Sequence, residues 1–104
     1  MAIGISSPAF YQWLRERSPG EAAAIAGALM AIATEGLYGS GCGDLDDGLW
    51  TYTDKVEKGV YFRIYLCLTA TGFSLPLLGR MSSSEFHRER DEALARSIMK
   101  HILP

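Results

Sequence analysis

Between residues 49 and 78 the chain alternates apolar and polar positions with a period of two, and on either side the apolar residues recur at three and four. The longest alternating run is residues 60–68. As a strand it sends Phe62, Ile64, Leu66 and Leu68 to one face and Tyr61, Arg63, Tyr65 and Cys67 to the other. The first set predicts the core strip against which all the helices pack. Residues 49–53 predict a preceding strand with Trp50 and Tyr52 on one face, followed by a turn over 54–59. Residues 73–78 predict a third strand, with an edge or a bulge at Pro76, which has no N–H to give to a ladder. Short connections make the three an antiparallel meander, and residues 79–84 read as a polar loop.

Helix signals flank this block. Ser7-Pro8 supplies a hydroxyl N-cap and a first-turn proline, after which Phe10, Trp13 and Leu14 form one apolar stripe. Ser18-Pro19-Gly20-Glu21 repeats the signal and adds the acid of a capping box. Ile25, Ala28, Leu29 and Ile32 continue one face of that second helix, and Gly36 is placed to end it. A turn this short predicts a helical hairpin. Ser82-x-x-Glu85 predicts a third capping box, opening a last helix with Phe86, Ala93, Leu94, Ile98 and Ile102 on its apolar side. Arg88/Glu92 and Glu92/Arg96 are its expected i,i+4 pairs. With residues 1–5 as a short first strand, the order is β-α-α-β-β-β-α. That is an α+β fold: a helical hairpin and a C-terminal helix on a small antiparallel sheet.

Composition leaves this picture intact. At 104 residues, 48% hydrophobic and 21% charged, the chain reads as one globular domain over 1–104. The alanine-rich run 22–37 reads as a buried amphipathic helix and not a bilayer span, and no export signal precedes it, so a cytoplasmic protein is expected. Cys42 and Cys67 share no metal-ligand spacing with each other or with His87 and His101, and read as free thiols. Residues 39–44 alternate glycine but lack the strand and the Lys-Ser/Thr of a phosphate loop, and Asp44, Asp46 and Asp47 lack calcium-loop spacing. No cofactor or metal is expected. The net charge of −2 argues against a broadly basic nucleic-acid binder, so a polyanion site would have to be local.

Taken in order, several segments resemble the RelE/ParE superfamily of bacterial toxins, closest to its HigB-like and phage-derived addiction-module members. They are Phe10-x-x-Trp13-Leu14, then Gly48-Leu49-Trp50 leading a strand, Tyr61-Phe62-Arg63-Ile64-Tyr65, and Leu77-Leu78-Gly79, with Glu92-Ala93 in register on the last helix. Thr53 stands where the family usually has an arginine. The resemblance implies a toxin that cuts messenger RNA on the ribosome and is silenced by a cognate antitoxin protein. It implies a catalytic role for Arg63, with Arg80 and His87 as further polar groups. Arginine suits such a site because its planar fork binds phosphate and keeps its charge. Tyr61 and Tyr65, flanking Arg63, would stack RNA bases. The same fold also serves non-catalytic binders, either a ParE-like gyrase inhibitor or a degenerate toxin that keeps only its antitoxin surface.

Overall fold

The computed structural model describes residues 7–69, 72, 74–82 and 87–102. Among them the order is α1 (Pro8–Arg15), α2 (Pro19–Gly39), β1 (Gly43–Asp44), β2 (Leu49–Glu57), β3 (Val60–Leu68), β4 (Ser74–Ser82) and α3 (Arg88–Ile102). The strands form one antiparallel sheet in the order β1-β2-β3-β4. This is the expected α+β architecture, with a two-residue strand added before the meander. The first strand expected over residues 1–5 lies outside the described residues.

Local chemistry starts both early helices as their sequences predict. Ser7 caps α1 by accepting from Phe10 N–H at 3.1 Å, and Ser18 and Glu21 close the capping box of α2. Ser7 is itself buried. Its N–H donates to Pro76 O at 3.0 Å and its hydroxyl to Leu77 O, so the start of α1 is tied to β4 where that strand is irregular. The register of β3 against β4 shifts there: Tyr65 faces Leu78, whereas Leu66 faces Pro76. Pro76 therefore sits at both a bulge and, among the described strands, an edge, where a missing N–H costs least. Gly36 breaks α2 with a positive φ of 80°, though its ψ of 175° is extended and not left-handed helical.

The core departs from expectation in one respect that matters for the site. Phe62, Ile64 and Leu66 pack with Phe10, Ile25, Ala28, Ile32 and Trp50, so α1 and α2 cover one face of the sheet. Tyr65 and Cys67 pack with Leu49, Leu75, Leu77, Leu78 and Ala95, so α3 covers part of the other. The helices thus lie on both faces and not on one. Only Ile25, Ala28, Ile32 and Leu37 of α2 are buried; Ala23, Ala26 and Met30 are exposed. By length and composition α2 could cross a membrane, but its Ile25 side packs into the core of this domain, the one-sided burial expected of an amphipathic helix.

Strand extends into both expected chain breaks around the site. β2 runs on through Thr53, Asp54 and Lys55 to Glu57, leaving Lys58-Gly59 as the turn. β4 continues through Gly79, Arg80 and Met81 to Ser82, so Ser82 ends a strand and does not cap α3, which begins at Arg88. Glu85 and Phe86 fall outside the described residues. The inward side of α3 is Asp91, Ala95, Ile98 and Met99, while Leu94 and Ile102 are exposed. The helix is rotated from the expected stripe because Asp91 is drawn inward to an arginine on β4. Of the two expected i,i+4 pairs, Glu92 to Arg96 is formed at 3.1 Å.

Burial fixes the state of both thiols. It pushes Cys67 and Cys42 above the ordinary value of 9.0, Cys42 despite the opposing influence of Ser40, whose hydroxyl lies 3.4 Å from its sulfur. The native state therefore holds these protons longer than the unfolded chain does. Their contribution to stability is intact below about pH 9 and falls as the pH rises from there through the native values. Urea midpoints should drop between pH 8 and pH 10, and less so in a Cys42→Ala/Cys67→Ala variant. At pH 8 a disulfide reagent should label the native thiols at less than about a tenth of the rate seen in urea, since only the accessible thiolate reacts.

Candidate nucleic-acid interface

The extension of β2 and β4 creates the site. Across the sheet Arg63 is paired with Thr53 on β2 and with Arg80 on β4, so the three residues form one row on the face that α3 partly covers. Arg63 donates through Nε to Thr53 Oγ1 at 2.8 Å. Thr53, on the neighbouring strand, thus holds the Arg63 side chain.

Arg80 is held harder. Its Nε donates to Asp91 Oδ1 at 3.0 Å and its Nη1 to Gly79 O at 3.1 Å. Asp91 is 1% exposed, and Arg90 Nε approaches the same carboxylate oxygen at 3.8 Å. An acid buried in this way needs a partner, and Arg80 supplies it. A guanidinium has five N–H donors. Among the described residues two of Arg80's are used, and its side chain is about one-third exposed.

His87 is exposed and precedes the first turn of α3, where its carbonyl accepts from Asp91 N–H at 3.0 Å. With Arg88, Glu89 and Arg90 it lines a shallow depression of about 340 Å³. It stands one helical turn ahead of the acid that grips Arg80. The structure therefore sets Arg63 and Arg80 side by side and His87 on the adjoining end of α3.

The two tyrosines divide. Tyr61 is 40% exposed on the open part of the face, whereas Tyr65 is 2% exposed, packed with Ala95 of α3 among the leucines. Tyr65 offers no ring to a base, which corrects its expected role: alternation places it beside Arg63, but a helix covers it.

Sequence reasoning missed two residues here. Asp91 is absent from the expected apolar side of α3, although its position on the stripe of Ala95 and Ile98 is the signal of a buried acid with a partner. Lys55 was lost in the presumed turn over 54–59, although it continues the alternation that runs through Thr51 and Thr53. On the opposite face Tyr52 donates to Asp54 Oδ2 at 3.0 Å. Burial first, and then Asp54, push its hydroxyl above the ordinary 10.0.

No family model, curated protein or solved structure matches this chain.

Proposed function

We propose that this protein is a RelE/ParE-type toxin of an addiction module, a cytoplasmic endoribonuclease that cuts messenger RNA on the ribosome and is silenced by an antitoxin. The observation that carries the reading is the pairing of Arg63 with Arg80 on a partly exposed strip of sheet in a chain of net charge −2. Two arginines at paired positions of neighbouring strands suit the phosphate that gains charge when a ribose 2′-hydroxyl attacks it. The attack forms the 2′-oxygen to phosphorus bond and breaks the bond to the 5′-oxygen. The 2′ proton must leave and the 5′-oxygen must gain one. His87 is the residue assigned to that proton traffic, because its exposed imidazole, on the end of α3 adjoining the two arginines, can both accept and donate a proton. Tyr61 is the stacking platform for a base beside the scissile phosphate.

Induced expression of the wild type should arrest growth and produce new 5′ ends in messages, mapped by primer extension. Arg63→Ala should slow cleavage about a hundredfold, the usual cost of removing one charge-stabilising donor. Intact messages under the wild type would end the nuclease reading. One observation favours the non-catalytic alternative: Arg80 is already engaged by Asp91 and Gly79. Growth arrest with intact RNA and disturbed DNA supercoiling would support a gyrase-directed toxin on the same fold, and a harmless protein would support a degenerate one.

A further inference from the structure

The row next to Arg63 and Arg80 has the same construction. Tyr61 is paired with Lys55 on β2 and with Ser82 on β4, so Lys55, Tyr61 and Ser82 cross the same face one step further from α3. Side chains two residues apart on a strand are about 7 Å apart, twice the rise per residue, which is the reach of one extended nucleotide step. Lys55 is exposed, and its backbone N–H donates to Asp54 Oδ1 at 2.7 Å, which helps to hold the local chain. The carboxylate of Asp54 belongs to the other face, where it accepts from Tyr52. Among the described residues no acidic side chain pairs with the Lys55 ammonium. An exposed cation, a half-exposed aromatic ring and a hydroxyl thus share one row beside the phosphate-binding arginines.

We infer that this second row is a subsite for the neighbouring nucleotide of a single-stranded RNA, with Lys55 on its phosphate and Tyr61 against its base. The inference rests on the nuclease reading and deepens it. The strand then runs along β3, from the Arg63/Arg80 row toward the β2–β3 turn, and the open face takes at least two consecutive phosphates. A duplex does not fit this arrangement, because its bases are paired and unavailable to Tyr61.

The test is fluorescence anisotropy with a labelled 12-nucleotide 2′-O-methyl oligouridylate, which lacks the attacking hydroxyl, titrated over a range of sodium chloride. Lys55→Ala should lower the slope of log K against log salt by about 0.7, the value for one phosphate contact on a single strand, and Lys55→Arg should restore it. Tyr61→Leu should weaken binding about tenfold with the slope unchanged, since stacking releases no counterions, and Tyr61→Phe should bind like the wild type. Thermal melts of each variant confirm folding. If Arg63→Ala weakens binding while Lys55→Ala leaves both slope and affinity unchanged, the subsite is wrong and the nuclease reading stands. If the wild type does not bind the oligonucleotide, the subsite falls, and the nuclease reading is decided by the primer-extension result alone.

Discussion

Gly79→Ala is expected to destabilise the protein by about 3 kcal/mol, the upper end of the range for overfilling a packed site. A Cβ at this position would overlap the six-membered ring of Trp13, which lies flat on the strand. Nothing about the backbone of Gly79 demands glycine; the demand is for space. Trp13 has little room to withdraw. Its ring packs against Phe10 at 5.5 Å on one side, the Arg17 guanidinium lies 5.2 Å from it, and Arg17 Nε also donates to Trp13 O at 3.0 Å. Urea unfolding measures the loss, and a double-mutant cycle assigns it. In a Trp13→Ala background the same glycine substitution should cost less than about 1 kcal/mol, giving a large coupling between two residues that touch. A cost that stayed the same in both backgrounds would mean that something other than the ring sets the requirement. Because Gly79 adjoins Arg80, the packing of α1 on β4 also steadies the site from behind.

Arg80→Met should destabilise by about 3 kcal/mol, lowering the melting temperature by roughly 15 °C in a domain of this size. The substitution leaves the Asp91 carboxylate in a nearly sealed position, with Arg90 at 3.8 Å as its remaining cation. Arg80 is about one-third exposed, which keeps the effect at the low end of the range for a broken buried pair. Removing both charges together, as Arg80→Met/Asp91→Leu, should recover most of the loss, because the penalty belongs to the stranded carboxylate and not to the missing attraction. The wild-type pair should also resist 1 M salt, unlike an exposed bridge. Under the proposed function the double variant is the informative protein: folded, with Arg63 in place, and without the second guanidinium. Full RNA cleavage by that variant would confine Arg80 to holding α3 on the sheet. Its loss would give the residue both roles.

How much of the site was legible depended on where each residue's partner lies. The role of Ser18 and Glu21 could be read directly, since capping is settled within four residues by hydrogen bonds that the local chain must make. The irregularity at Pro76 was legible for the same kind of reason: a residue without an N–H cannot sit in a regular central ladder. Arg80 could be named as polar and near the third strand, but its place opposite Arg63 could not, because the segment that carries it looked like a loop. Glycine, serine and arginine have little strand preference of their own. Residues 79–82 become strand because β3 offers them a ladder and Trp13 needs a residue without a side chain.

The sequence by itself determined the element types, the antiparallel meander and the two faces of β3, because capping and hydrophobic periodicity are local and each residue's backbone preference acts where it stands. Which helix covers which face was decided only in the tertiary structure. Tyr61, Arg63, Tyr65 and Cys67 alternate identically along the strand, yet α3 helps to bury the last two and leaves Tyr61 exposed and Arg63 half-buried. The boundary falls where Asp91 meets Arg80, an ion pair across eleven residues of chain, and no local pattern announces a partner at that distance.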